Sequence, residues 1–155
     1  MKQTTDLLKK YLMDALGLRV DTARWPGTQA LPQYLRTSYD FFVISLVEAP
    51  VLLALDRREP GVPPATLGKE VAQIRKRFDG EVVYVQTQMT SYNRSRLVRQ
   101  RTPFIVPGNQ MYLPMLGIDL REHFRRQHSA PETLSPACHL LFGEVQRQKS
   151  GRAAT

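Results

Sequence analysis

The sequence has 155 residues, enough for one domain with a substantial core, and its 42% hydrophobic and 23% charged residues exclude wholesale disorder. The longest apolar region, residues 41–55, is interrupted by Glu48 and Pro50 and is too short to cross a membrane, so no membrane association is expected. The first residues lack the apolar core of a signal peptide, and Cys138 is the sole cysteine, so a cytoplasmic location is predicted.

Positive charge is concentrated in the second part of the chain. The net charge is +8; residues 1–93 hold 12 Lys and Arg against 10 Asp and Glu, whereas residues 94–155 hold 10 against 4. Nearly all of the later cations are arginines, which bind phosphates through a planar pair of donors. This distribution favours nucleic acid, and DNA in particular, as a partner reached directly or through another protein.

The first part of the chain predicts a helix followed by two buried strands. Apolar residues recur at helical spacing over residues 5–16, and Gly17 stands where a helix ends. A short helical turn is predicted over residues 31–36. The apolar runs 39–47 and 51–55 predict strands that are covered on both faces, because their hydrophobicity is nearly continuous.

The middle of the chain predicts two more helices, a strand and a hairpin. A loop rich in proline leads to a helix over residues 64–78, and a strand is expected over 81–86. A further helix is predicted over 91–101, and the runs 104–106 and 111–113 flank a hairpin turn. This order of elements predicts an α/β (α+β) domain in which helices flank a mixed sheet.

After residue 116 the pattern changes to predicted helices. One is expected over residues 118–128, and Ser135-Pro136 begins another that runs to about residue 148. The predicted organisation is therefore an α/β core domain at residues 1–116, a helical appendage at 117–149 and a disordered tail at 150–155.

Four arginines are crowded into the predicted helix 91–101. At 100° per residue, Arg94 and Arg101 fall on the same face as the apolar residues, whereas Arg96 and Arg99 point away from it. One interpretation of the inward pair is a set of salt bridges, because an unpaired buried arginine is costly. The expected acceptors are Asp40, Asp56 or Glu81. The alternative is an arginine row that faces phosphates.

The hairpin turn carries two amide side chains, Asn109 and Gln110. Such groups can read the edges of bases, or they can stabilise a turn through local hydrogen bonds. Turn chemistry is the favoured interpretation, and base reading is the alternative.

The sequence contains no complete catalytic template. Nucleases of the restriction-enzyme type need an (Asp/Glu)-x-Lys pair, and none occurs; Asp56-Arg57-Arg58 and Asp119-Leu120-Arg121 end in arginine, which cannot serve as a base. The spacing from His123 to His128 and the isolated Cys138 match no zinc motif, and Cys138 is interpreted as a core thiol. We therefore predict no catalytic residue, no metal and no cofactor.

Several strings resemble a group of bacterial MarR-type or winged-helix transcriptional regulators. The most specific is Ile105-Val106-Pro107-Gly108-Asn109-Gln110-Met111-Tyr112-Leu113-Pro114, which continues through residues 116–124. Tyr92-Asn93-Arg94, Arg96-Leu97 and Leu134-Ser135-Pro136 also match, and the resemblance covers residues 31–141. It implies an N-terminal α/β domain similar to a degraded restriction-endonuclease core, with a looser similarity to antitoxin regulators of abortive-infection systems.

In that group a C-terminal winged helix binds DNA, but residues 143–149 contain no recognition-helix sequence, so no DNA-reading residue is carried over. The predicted function is a non-catalytic regulatory or assembly module of a DNA-associated transcriptional regulator. The alternatives are a divergent metal-dependent nuclease that uses Asp40, Asp56 or Glu81, and a dominant-negative partner of a full-length regulator; a protein partner or a homodimer is expected. The arginines predicted to touch nucleic acid are Arg94, Arg96, Arg99, Arg101, Arg121, Arg125 and Arg126.

Overall fold

The computed structural model describes residues 2–121, with side chains through residue 119. These residues form one mixed sheet whose seven strands follow one another in space in the order of the chain. The strands are β1 (Ala23–Arg24), β2 (Tyr39–Leu46), β3 (Ala49–Asp56), β4 (Glu81–Val85), β5 (Phe104–Val106), β6 (Gln110–Leu113) and β7 (Ile118–Arg121). The helices are α1 (Lys2–Leu16), α2 (Gln33–Ser38), α3 (Pro64–Arg75) and α4 (Ser91–Arg99), with short 3₁₀ helices at Pro26–Ala30 and Pro114–Leu116.

Two crossovers lie at the centre of the sheet. Strands β3, β4 and β5 are parallel, and α3 and α4 connect them in turn, whereas the other neighbouring strands are antiparallel. Because successive crossovers in one direction have the same hand, α3 and α4 lie on the same face of the sheet. This arrangement confirms the predicted α/β class, with a mixed sheet flanked by helices.

Each face of the sheet has its own apolar core. Leu8 and Leu12 of α1 pack with Leu53 on one face, together with the alternate residues of the neighbouring strands. On the other face, Ile74 of α3 and Leu97 of α4 belong to a core that includes residues from β3, β4 and β5. The burial of both faces explains why the strands read as continuous apolar runs, as predicted.

The predicted helix over residues 118–128 is wrong for its first four residues. Ile118–Arg121 is strand β7, which pairs antiparallel with β6, Leu113 facing Ile118 and Gln110 facing Arg121. Gly117 makes the turn between these strands with a φ of 67°, and the open edge of β6 supplies the backbone partners. The sheet thus continues beyond the expected boundary at residue 116, and the predicted helix over 135–148 lies outside the described residues.

Within the described part of the chain, no helix combines the length and the apolar composition that crossing a membrane requires. The two-residue β1, which pairs with β2 at one edge of the sheet, was not predicted, because so short a segment leaves no periodic pattern in the sequence.

Candidate functional site

The loops that follow β3 and β4 lie side by side at the carboxyl ends of these two strands. The two strands are parallel, with Leu55 paired to Val85, so residues 57–63 and 86–90 leave the sheet at the same end. In open α/β sheets, ligands bind outside the carboxyl ends of parallel strands. The side chains at this end of the parallel strands are therefore candidates for a functional site.

A partly buried group of charged side chains is centred on Arg58, whose own side chain is 29% exposed. Its Nε donates to Oδ1 of Asp56 at 2.8 Å, and its Nη2 donates to Oε2 of Glu70 at 3.0 Å. The Asp56 side chain is fully buried and that of Glu70 nearly so, and the Arg58 guanidinium lies 4.8 Å from the centre of the Tyr39 ring. One guanidinium thus neutralises much of the charge of two carboxylates, one from β3 and one from α3.

Two buried tyrosines complete this group. The Tyr39 hydroxyl donates to Glu70, and the Tyr84 hydroxyl donates to Oδ2 of Asp56 at 2.8 Å. Burial raises the pKa of both phenols, and the neighbouring Glu70 and Asp56 carboxylates raise it further. Both tyrosines therefore remain neutral hydrogen-bond donors to the carboxylates across the physiological pH range.

Gln86 links the group to the loop after β3. Its Oε1 lies 2.8 Å from the Tyr84 hydroxyl, and its Nε2 donates to the backbone carbonyl of Arg58 at 3.1 Å. We name this set the Arg58 network: Tyr39, Asp56, Arg58, Glu70, Tyr84 and Gln86. Its carboxylates are engaged by donors within the protein, and arginine cannot accept a proton, so the network acts as a rigid support.

A cleft of about 480 Å³ lies beside the Arg58 network. Its walls are residues 59–61 from the loop after β3, residues 86–90 from the loop after β4, and Asn93 of α4. Gly61 allows the close approach of the two loops, because a Cβ at this position would collide with the Gln86 amide and the Tyr84 hydroxyl. The cleft therefore has one wall fixed by buried hydrogen bonds.

Helix α4 begins at the cleft and extends away from it. The Thr90 hydroxyl caps its first turn by accepting from the Asn93 backbone N–H at 3.2 Å, and the buried Leu97 anchors the helix to the sheet. On its outer side, the Arg96 guanidinium lies 5.6 Å from the centre of the Tyr92 ring, and Tyr92 is 68% exposed. An arginine and an aromatic ring thus form a shared exposed surface.

Three arginines on and just after α4 are exposed: Arg96, Arg99 and Arg101, which we name the α4 arginine face. No ion pair in the described part of the chain involves any of them. Exposed guanidinium groups without a carboxylate keep their full charge available to an external anion. The structure therefore places three of the seven predicted arginines at exposed positions on and just after α4.

The predicted salt bridges of Arg94 and Arg101 are wrong. Arg94 is half-buried and donates instead to Oδ1 of Asn109 at 2.9 Å and to Oγ of Ser91 at 3.1 Å. Arg101 is exposed because α4 ends at Arg99, so the helical projection does not extend to it. The expected carboxylates pair with other arginines: Asp40 with Arg57 at 3.7 Å, Asp56 with Arg58, and Glu81 with Arg75 at 3.6 Å.

The two amides of the hairpin have different positions. Asn109 lies in the turn, where its backbone N–H donates to the Val106 carbonyl at 2.9 Å and its side chain accepts from Arg94. These contacts support the favoured interpretation of Asn109 as a turn residue. Gln110 is the first residue of β6, pairs with Val106 and is 4% exposed, so its predicted place at the tip of the hairpin is wrong.

Three of the predicted arginines cannot be assigned a surface. Arg121 belongs to β7 by its backbone, and its side chain lies outside the described residues, as do Arg125 and Arg126. The structure therefore bears on four of the seven predicted positions.

The carboxylates of the nuclease alternative do not converge. Asp40 and Asp56 lie at one end of the sheet, because Asp40 pairs with Leu55, but Glu81 pairs with Val51 at the opposite end. Among the described residues, no group of three or more His, Cys, Asp or Glu side chains is arranged to hold a metal ion.

Comparisons with known proteins give no relative from which a role could be transferred: no protein-family model, no curated protein and no solved structure matches the chain.

Glu70, Tyr84 and Gln86 were not predicted as members of a site. Glu70 carried a usable signal, because it lies between Leu67 and Ile74 on the apolar face of α3, where a buried carboxylate requires a partner. Tyr84 and Gln86 alternate on one face of β4 and the residues that follow it, but nothing in their local pattern identifies Asp56 as the partner.

Proposed function

We propose that this domain is a non-catalytic module of a DNA-associated transcriptional regulator, and that it contacts the phosphate backbone through the α4 arginine face. The observation that carries the proposal is the exposure of Arg96, Arg99 and Arg101 without a carboxylate partner in the described residues. Guanidinium groups in this state release bound counterions when they meet phosphates, which is the main source of sequence-independent affinity for DNA.

The exposed Tyr92 strengthens this assignment. Its hydroxyl accepts from Nη1 of Arg96 at 3.2 Å, which holds the guanidinium against the ring and reduces the number of conformations to be lost on binding. Aromatic rings beside arginines also provide surfaces for sugars or unpaired bases. Arg94 has a structural role, because its bond to Asn109 fixes the hairpin against α4 and thereby orients the helix.

The Arg58 network supports the non-catalytic part of the proposal. Asp56 and Glu70 are the two carboxylates of the Arg58 network, and both are engaged by Arg58 and a tyrosine. A carboxylate held in this way by buried donors is not free to act as a base.

A titration of labelled duplex DNA by fluorescence anisotropy tests the proposal. The substitutions Arg96→Gln, Arg99→Gln and Arg101→Gln, made together, should weaken binding at low salt and reduce the slope of log affinity against log salt by roughly 1 for each arginine on a phosphate. The control removes three exposed cations from α1 and the loop after it, on the opposite face of the sheet: Lys2→Gln, Lys10→Gln and Arg19→Gln.

The two triple variants have the same net charge, so the comparison separates a local contact from a general charge effect. Equal affinity and equal salt slopes in the two variants would contradict the assignment to α4. Cleavage of plasmid DNA by the purified protein with magnesium or manganese, lost together with Asp56→Asn, would overturn the non-catalytic part.

A further inference from the structure

We propose that the cleft beside the Arg58 network binds an uncharged nucleoside-like ligand, through the hydrogen-bonding edge of its base. This ligand site is distinct from the α4 arginine face and does not depend on DNA binding. A volume of about 480 Å³ lies within the range of about 300–1,000 Å³ typical of small-molecule sites. Its position at the carboxyl ends of β3 and β4 is the usual place for a ligand in this class of sheet.

The walls of the cleft provide several amide and hydroxyl groups. Gln86, Gln88 and Asn93 line it with amides, and Thr87 contributes a hydroxyl. An amide presents a donor and an acceptor side by side, which is the pattern that matches the edge of a base. Met89 adds an apolar surface against which a ring can lie.

The Gln86 side chain has a fixed orientation in the wall of the cleft. It is 6% exposed, and the bond from its Nε2 to the Arg58 carbonyl determines which way its amide faces. The Tyr84 hydroxyl, 2.8 Å from Oε1, donates its single proton to Asp56, so the Gln86 amide keeps one N–H donor and the acceptor Oε1 for a ligand. An amide held in this way loses little entropy when it binds.

The charge of the lining selects against phosphorylated ligands. Glu59 is the ionisable residue in the wall, and the lining contains neither lysine nor arginine. In the first turn of α4, which could otherwise attract an anion, the Asn93 N–H is already bonded to the Thr90 hydroxyl. The Glu59 carboxylate accepts hydrogen bonds from ribose hydroxyls or from exocyclic amines, and it repels a phosphate.

Calorimetric titration of the full chain with adenosine, guanosine, cytidine and uridine tests the proposal, with ribose and the four 5′-monophosphates as comparison ligands. We expect at least one nucleoside to bind with a Kd of about 1 mM or tighter, ribose not to bind, and the matching monophosphate to bind about tenfold more weakly. Gln88→Ala and Asn93→Ala should each weaken nucleoside binding about 3–10-fold. Gln100→Ala, which removes an amide from the other end of α4, should leave it unchanged.

Glu59→Gln gives a second readout that loss of folding cannot imitate. This substitution should bring the Kd of the monophosphate to within about threefold of the Kd of the nucleoside, because it removes the repulsion of the phosphate and keeps the shape of the wall. Circular dichroism and urea midpoints equal to those of the parent protein establish that each variant is folded. The proposal is overturned if no nucleoside binds, if ribose binds as well as the nucleosides, or if Glu59→Gln leaves the discrimination against phosphate unchanged.

Discussion

Arg58 and Glu70 are joined by two hydrogen bonds, from Nη1 to Oε1 at 3.2 Å and from Nη2 to Oε2 at 3.0 Å, although they belong to a loop and to α3. Burial opposes the charge of Arg58, but its bonds to Glu70 and Asp56 outweigh that effect and raise its pKa. The pair ties the loop that forms one wall of the cleft to the helix that covers the sheet.

Replacement of Arg58 should therefore be strongly destabilising. We expect Arg58→Met to lower the free energy of unfolding by about 3–5 kcal/mol, because Asp56 and Glu70 would remain buried without a countercharge. Arg58→Lys should cost less, because it keeps the charge and loses only the paired geometry. Urea denaturation measures both.

The neighbouring Arg57 provides a matched control. Its side chain is 50% exposed, and its Nε lies 3.7 Å from Oδ2 of Asp40, so Arg57→Met should cost less than about 1 kcal/mol. If Arg58→Met proved no more harmful than Arg57→Met, the Arg58 network would not support the fold.

The raised pKa values of Tyr39 and Tyr84 predict a loss of stability in alkali. Below about pH 10 both tyrosines are protonated in the folded and unfolded chains, so their full contribution to the free energy of unfolding is retained. Above that pH the unfolded phenols release protons that the buried ones retain, so the free energy of unfolding should fall by up to about 1.4 kcal/mol per pH unit for each tyrosine. Urea midpoints measured from pH 8 to 11 report this slope.

Two double variants distinguish this effect from general alkaline unfolding. Tyr39→Phe with Tyr84→Phe should lower stability at neutral pH but flatten the alkaline decline. Tyr34→Phe with Tyr92→Phe removes two exposed phenols and should leave the decline as it is. Parallel declines in the two variants would contradict the burial argument.

Substitutions in the turn between β2 and β3 should increase the stability of the protein. Val47 and Glu48 form a two-residue hairpin loop with φ values of 50° and 64°, a conformation that disfavours a β-branched residue. Val47→Asn with Glu48→Gly should stabilise the protein by about 1–2 kcal/mol, visible as a higher Tm. Val47 is 69% exposed, so little packing is lost. Val47→Thr keeps the branched Cβ and should bring no gain; a comparable gain would show that the turn is unstrained.

Two glycines should respond in opposite ways to alanine. At Gly61 the added methyl would displace the Gln86 amide and the Tyr84 hydroxyl, and Gly61→Ala should cost about 1–3 kcal/mol. At Gly68, within α3, a Cβ meets no atom within 4 Å, so Gly68→Ala should stabilise by about 0.5–1 kcal/mol. Chemical denaturation checks both; equal effects would mean that the loops are not closely packed at Gly61.

The parts of the fold that could be predicted are those with a local periodic signal. The helices α1, α3 and α4 and the strands β2–β6 follow from apolar spacing and from turn residues. Strand β7 could not be predicted, because its four residues with two apolar side chains fit the period of a helix as well as that of a strand. Pairing with the edge of β6 determines that they form a strand. Local pattern fails where tertiary pairing determines the structure.

The candidate site divides in the same way. The exposure of Arg96 and Arg99 follows from the helical projection, but that of Arg101 depends on where α4 ends. The Arg58 network joins β2, β3, α3 and β4, and no spacing rule indicates that residues so far apart meet. The carboxylates of the predicted salt bridges were assigned to the wrong arginines for that reason.

Gln86 belongs both to the wall of the cleft and to the Arg58 network, and this double membership constrains how the protein can change over evolution. A mutation at Gln86 that alters what the cleft accepts also disturbs buried hydrogen bonds on which folding depends. Gln88 is exposed and does not belong to the Arg58 network, so substitutions at this position can change ligand preference without disturbing the hydrogen bonds on which folding depends.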